Sequence, residues 1–254
     1  MSALRARCPD CGTATAVAVD LGYECHVCGR TFAAGLVRVP RAWGHGGEAM
    51  AEAAAIELPY PEAAVVERDT LAEQNAALAA SLPARPLVLG GCCCAHIGVV
   101  EGLAARGPRL AVVWLDAHGD LNTPVTSPSG NEWGMALRML LDAAVVRPED
   151  VALVGARNLD PPEVEYMLEQ GIDADAERAA AGTDALYVAL DLDVLDPTEV
   201  DVFFPEPGGP TVSELEGVLR GIAALRPLSG AGLTGLRAGA RPDPLIRLLA
   251  ALDL

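Results

Sequence analysis

The stretch "ALYVALDLDVLDP", residues 185–197, decides how the rest of the chain is read. Seven nearly continuous apolar positions end on Asp191 and Asp193, two residues apart, before a proline closes the run. An apolar run of this length without polar alternation reads as a strand buried on both faces, the pattern of a parallel sheet covered by helices. The same signature recurs in "GLVRVP" (35–40), "PLVLGG" (86–91), "LAVVWLD" (110–116), "VALVGA" (151–156) and "GAGLTGL" (230–236). Between these lie helical patterns at 63–82, 131–144, 161–171, 213–225 and 243–252, with Ser213 and Glu216 spaced as a capping box. The expected fold class is α/β, a three-layer α/β/α domain with a mainly parallel sheet and right-handed crossovers. The Ala-rich segment 42–61, which also carries Gly and Pro, reads as a mobile loop.

In such a sheet the chemistry belongs at the carboxyl ends of the strands. There the run "VVWLDAHGD" places Asp116, His118 and Asp120 in a two-residue rhythm, and Asp191 and Asp193 repeat that spacing on another strand. Buried carboxylates without a counter-charge are costly, and a divalent cation removes the cost. Four carboxylates and an imidazole suit a hard or borderline ion, with Mn²⁺ the first choice. The competing reading treats these acids as helix caps and solvated loop ends, which accounts poorly for two clustered sets.

Composition narrows the function classes. The chain has 254 residues, 51% of them hydrophobic, enough for one sizeable core and a small appendage. A net charge of −17 disfavours nucleic acid and anionic membranes as partners and suits neutral or cationic ones; the expected partner is a small-molecule substrate. No apolar run reaches the roughly 20 residues of a membrane span, and the N-terminus lacks a secretory apolar core, so a cytoplasmic location is expected. In that compartment the seven cysteines read as thiols or metal ligands. Cys8, Cys11, Cys25 and Cys28 form two Cys-x-x-Cys pairs, each followed by glycine, the pattern of one structural zinc in a small ribbon. Residues 1–34 are therefore expected to form a zinc-ribbon-like module, and residues 35–254 the main domain. The module reads as a metal staple with no identifiable partner, and His26 as a bystander.

The segments "DAHGDLNTPVTSPSGN" and "DLDVLDP" resemble the two signature motifs of the arginase, agmatinase and formiminoglutamase group, the ureohydrolases. The resemblance runs from about Gly35 to the C-terminus and includes the "GG" loop and "PEPGGPTVSELE". It implies an arginase-like fold, a trimer or hexamer, and two Mn²⁺ ions bridged by a hydroxide that attacks a guanidinium or related carbon. Asp116 and Asp191 would then bridge both ions, His118 and Asp193 complete one, and Asp120 serve the other and orient the hydroxide. Asp120 and His118 are thus the catalytic candidates. The family's remaining ligand is a histidine, and Cys93 of "GGCCCAHIG" stands at its position. A thiolate there shifts the half-site toward Zn²⁺, Fe²⁺ or Co²⁺, and a neighbouring helix N-terminus would ease its ionisation. The alternative makes all three cysteines small apolar packing groups, the reading given to Cys92 and Cys94. His96, one turn further, is either structural or a tuning group.

On the substrate side, Asn122, Ser127, Ser129 and Asn131 match positions lining the amino-acid end of the arginase pocket. Trp133 replaces a proton-shuttling histidine, Phe204 a threonine, and Gly235 the glutamate that grips guanidinium. Glu132 and Glu206 are nearby acids available as replacements, and Trp133 offers a face to a cation. The leading expectation is a metal-dependent hydrolase using a metal-bound hydroxide on a C–N bond of a guanidino, amidino, ureido or amide substrate other than free arginine. Two alternatives stand beside it: a mononuclear, deacetylase-like amidohydrolase, and a catalytically impaired scaffold or sensor.

Overall fold

The computed structural model describes residues 4–254. Four short antiparallel strands come first: β1 (Arg5–Ala6), β2 (Ala16–Val19), β3 (Gly22–Cys25) and β4 (Thr31–Phe32). Seven strands follow in a second sheet: β5 (Gly35–Val39), β6 (Glu62–Val65), β7 (Pro86–Gly90), β8 (Leu110–Leu115), β9 (Val151–Val154), β10 (Ala185–Asp191) and β11 (Leu228–Thr234). The helices are α1 (Glu48–Ala53), α2 (Leu71–Ser81), α3 (Ala95–Ala104), α4 (Ala136–Asp142), α5 (Pro161–Gln170), α6 (Ala176–Ala180), α7 (Val212–Ala223) and α8 (Pro242–Ala250).

The large sheet has the order β6-β5-β7-β11-β10-β8-β9, every pair parallel. Alternation along β10 explains why both faces need cover. Leu186, Val188 and Leu190 join one core with Leu215 and Leu219 of α7 and Leu245 and Leu248 of α8, while Tyr187 and Ala189 join another with α2, α3 and α4. After β7 the chain leaves for β8 and β9, then returns to insert β10 and β11 into the gap. The carboxyl ends of β7, β11, β10 and β8 consequently stand side by side, and their loops meet over the centre of the sheet.

Three local expectations are corrected. The span 63–82 is not one helix: β6 takes its first residues by pairing with β5, and α2 starts only after Thr70, whose hydroxyl accepts from Glu73 N. The expected mobile loop contains α1, anchored by buried Met50 and Ala53. The capping box of α7 is Thr211 with Glu214, not Ser213 with Glu216, because the helix already begins at Val212.

The four-stranded sheet docks on the free edge of β6. Arg7 N donates to Glu62 O at 2.8 Å and Glu62 N returns a bond to Arg7 O at 2.9 Å. Gly35, which opens β5, lies under the Tyr23 ring so closely that a Cβ there would fall 2.5 Å from Cε2. The module thereby blunts a sheet edge that would otherwise expose unpaired backbone groups.

Candidate metal centre

The strand ends converge. Asp116 follows β8, Asp191 ends β10, Asp193 sits in the single 3₁₀ turn Leu192–Val194 after it, and Cys93 follows β7 just before α3. Ligand-capable atoms of Cys93, Asp116 and Asp191 lie within 4.8 Å of one another, and those of Asp116, His118 and Asp193 do the same. Asp116 belongs to both sets. His118 Nδ1 stands 3.3 Å from Asp116 Oδ1 and 3.0 Å from Asp193 Oδ2. Cys93 Sγ lies 2.9 Å from Asp191 Oδ2 and 3.7 Å from Asp116 Oδ2.

Asp120 faces the same cavity, from a backbone with φ of 53°, in the left-handed region that Asp tolerates better than most residues. The turn is held open by Arg138 N donating to Asp120 O at 3.0 Å and by Leu121 N donating to Glu163 Oε1 at 2.9 Å. Glu163 closes the capping box of α5, so that helix's start is tied directly to the aspartate loop. Arg157 fixes the opposite wall by donating to the carbonyls of Asp193 at 2.8 Å and Glu206 at 2.7 Å. Glu206 Oε1 accepts from Asn158 Nδ2 at 2.7 Å and lies 3.5 Å from His118 Nε2. Glu163 and Arg157 were missed in the sequence because each acts through backbone groups brought close only by folding.

The charges in this cluster are mutually unfavourable. Burial and the neighbouring Asp193 push Asp191 up to about 7; burial and Asp116 push Asp193 up to about 6. Burial, then Asp116 and Asp191, raise Asp120 well above the carboxylate range. For His118 burial acts downward, but Asp116 and Asp193 outweigh it and carry the ring up to about 12. Cys93 departs from expectation: burial and the charges of Asp120, Asp191 and Asp116 push its thiol up, outweighing any help from the start of α3. Asp120 Oδ2 is buried with no hydrogen-bond partner among the described residues. Convergent repelling carboxylates plus an orphaned carboxylate oxygen are the donor set a divalent cation satisfies.

The cavity over this cluster holds about 270 Å³. Asn122, Ser127, Ser129, Asn131, Trp133 and Phe204 all line it, and no Arg or Lys does among the described residues. Several of the polar groups are already engaged. Asn122 donates to Asp160 Oδ2 at 2.8 Å and accepts from Thr126 Oγ1 at 2.9 Å, and Asn131 Oδ1 accepts from His45 N at 2.8 Å. Trp133 and the 41% exposed Phe204 stand with ring centroids 5.9 Å apart and form an aromatic wall. Neither Glu132 nor Glu206 lines the cavity, although Glu206 Oε1 lies 3.5 Å from His118 Nε2, which does. Gly235 also lines it, with φ of 75° and Asp191 directly against the position a Cβ would take. Of the cysteine triplet only Cys93 approaches the carboxylates; Cys92 Sγ accepts from Trp43 N at 3.4 Å, and Cys94 is fully buried in the α3 core.

At the other end of the molecule the sulfurs of Cys8, Cys11, Cys25 and Cys28 lie within 4.8 Å of one another. Each Cys-x-x-Cys turn closes identically: Gly12 N donates to Cys8 O at 2.9 Å and Gly29 N to Cys25 O at 2.8 Å, both glycines in the left-handed region. Thr15 Oγ1, 3.3 Å from Cys25 Sγ, helps lower that thiol to about 6. No helix among the described residues is long and apolar enough to cross a membrane.

Comparison with known proteins agrees with this architecture. Arginase from Bacillus caldovelox is 37% identical over 159 residues, 51% of this chain and 53% of that protein, so the chain spans about half the length of the curated relatives it matches. The solved arginase from Bacillus caldovelox superposes with a TM-score of 0.71 at 28% identity, covering 86% of this chain and 97% of that one. Formimidoylglutamase from Bacillus subtilis subsp. subtilis str. 168 shares the fold at a TM-score of 0.66 and 18% identity, over 87% and 88% of the two chains. The arginase family model matches residues 45–236, and with the strand-end cluster inside that span, the chain belongs to the arginase family.

Proposed function

We propose that the chain is a metal-dependent hydrolase of a C–N bond in a guanidino, amidino, ureido or amide substrate other than free arginine. The observation that carries this reading is the convergence of Asp116, His118, Asp120, Asp191, Asp193 and Cys93, with an oxygen of Asp120 left unpartnered. Two divalent ions would share Asp116 and Asp191 as ligands, with His118 and Asp193 completing the set of one, and Asp120 and Cys93 that of the other. Such ions, when bound, would supply Lewis-acid activation of a water and of the substrate. Mn²⁺ suits the oxygen-rich half; Cys93 favours Zn²⁺, Fe²⁺ or Co²⁺ in its own.

The protein side chains supply the remaining steps. Asp120, whose Oδ2 has no partner among the described residues, would orient the attacking water by accepting a hydrogen bond from it. His118 is kept in place by Asp116, Asp193 and Glu206. Trp133 and Phe204 shield one side of the cavity from water and favour a flat or apolar portion of the substrate.

Exclusion of arginine rests on Gly235. Asp191 occupies the space next to this residue, so its backbone has no room for a side chain that would grip a guanidinium. Ammonia and urea release across L-arginine, agmatine, formimino, ureido and primary amide compounds tests the reading. Turnover of a compound in the last three classes with none of L-arginine is expected; efficient L-arginine turnover overturns the substrate statement.

A second reading has its own support. The Cys93 thiol donates to Asp191 and is pushed up, so a protonated Cys93 would leave a single ion held by Asp116, His118, Asp191 and Asp193. Ion counting separates the two: two main-domain ions support the first reading, one the second. In the N-terminal module, residues 1–34, four thiolates would hold a structural zinc that staples the ribbon to residues 35–254, and assembly into trimers or hexamers follows the family likeness.

A further inference from the structure

Behind the carboxylates, away from the cavity, lies a chain of polar groups that the reaction does not touch. His96, Tyr187 and Thr234 each have essentially no exposure, and none lines the cavity. Thr234 Oγ1 donates to Asp191 Oδ2 at 3.1 Å. His96 Nε2 lies 3.2 Å from Thr234 Oγ1, and His96 Nδ1 lies 2.8 Å from the Tyr187 hydroxyl. The directions follow from counting hydrogens. Threonine has one hydroxyl hydrogen, and the carboxylate takes it, so Thr234 can only accept from His96. Burial holds His96 neutral, with its pKa lowered to about 3, so the ring has one N–H, on Nε2. Nδ1 is then an acceptor, and Tyr187 donates to it.

The space for this chain is built into the sheet. Gly232 of β11 sits where a Cβ would fall 2.6 Å from the Tyr187 hydroxyl and 2.7 Å from His96 Cε1. His96 also meets the edge of Trp114 with ring centroids 5.0 Å apart, and Trp114 Nε1 donates to Asp116 Oδ2 at 3.2 Å. One imidazole thus backs the donors of both aspartates shared between the half-sites.

We propose that His96 is a positioning residue that, through Thr234 and Trp114, fixes the orientation of Asp191 and Asp116 for cation binding. This rests on the metal-dependent reading above. Ordered donors behind a ligating carboxylate preset its geometry, and losing such a partner typically costs about 10–100-fold in metal affinity or activity.

The test is Co²⁺ titration of the full chain, followed by calorimetry and by the visible ligand-field spectrum; the ribbon is unchanged in every variant, so difference spectra isolate the main domain. Thr234→Val and His96→Phe are each expected to weaken main-domain Co²⁺ binding about 10–100-fold and to shift its spectrum. Thr234→Ser restores both, because it keeps the hydroxyl, and His96→Gln restores them in part, because its amide still donates. The double variant Thr234→Val/His96→Phe is expected to be no weaker than the weaker single variant, as for groups acting in one chain. Wild-type affinity and spectrum in Thr234→Val and His96→Phe, or strictly additive losses, overturn the proposal. Failure of Thr234→Ser to recover binding also overturns it, since the loss is then one of packing. If the wild-type main domain takes up no Co²⁺, the metal-dependent reading falls and this inference with it; uptake with unaffected variants sinks this inference alone.

Discussion

The two halves of the carboxylate cluster share Asp116 and, on the two-ion reading, Asp191, and they differ in their remaining groups. One half, with His118 and Asp193, offers an imidazole whose Nδ1 already points between two carboxylates, and it is braced by Ala117 N donating to Asp193 Oδ1 at 3.0 Å. The other, with Cys93, Asp191 and Asp120, carries a buried thiol, an unpartnered carboxylate oxygen and a left-handed backbone. The polar side-chain atoms of the first find partners within the protein, whereas in the second Asp120 Oδ2 has none among the described residues. On the proposed reading a cation would contribute most to the second half, and Cys93 would decide the metal's identity there.

The severest disruption of this contrast is Asp191→Ala. On the two-ion reading it removes a carboxylate common to both ions, and it is expected to abolish main-domain ion uptake and to lower activity on the order of a thousandfold, the scale of deleting a charge-stabilising group. Elemental analysis and turnover check it. Cys93→Ala sharpens the difference between the halves: uptake of the ion at the thiol half is expected to fall at least about a hundredfold, beyond the usual loss from a supporting group, while the His118 half keeps its ion. Equal loss at both halves would show that they are not separable.

The ribbon gives a second contrast, since a metal held by its four cysteines would be structural. Cys25→Ser is expected to release the module's zinc and expose the β6 edge, lowering Tm by about 2–4 °C for each kcal/mol lost, with main-domain ion content unchanged. Calorimetry and elemental analysis read the two effects separately.

Acidity offers the subtlest test. Asp191 at about 7 and Asp193 at about 6 lie above the ordinary carboxylate value of about 4 in an unfolded chain. The chelated folded protein then binds protons that the unfolded chain releases, so this contribution is full below about pH 4 and is lost as pH rises through about 7. With a cation loaded the same carboxylates are ionised at no cost and the decline disappears. Thermal melts with chelator and with Co²⁺, from pH 5 to 8, measure the difference.

Legibility in the sequence followed the range of the forces involved. The parallel strands were readable because burial on both faces leaves an unbroken apolar run, and "DAHGD" and "DLD" because ligands at the strand ends are close in the chain. The start of α2 was not readable from periodicity, since pairing of β6 with β5 overrides the helical pattern of residues 63–66. Likewise, Cys93 beside a helix start looked easily ionised; burial, and then three aspartates distant in sequence, reverse that. The His96–Thr234–Asp191 chain spans 138 residues between its first two members, which no local pattern reveals.

The most direct measurement is anomalous diffraction from crystals grown with Co²⁺. The expected map shows two peaks between the Asp116 and Asp191 carboxylates, one within bonding distance of His118 Nδ1 and the other of Cys93 Sγ. A map with cobalt only among Cys8, Cys11, Cys25 and Cys28, and none at the strand ends, contradicts the metal-dependent reading outright.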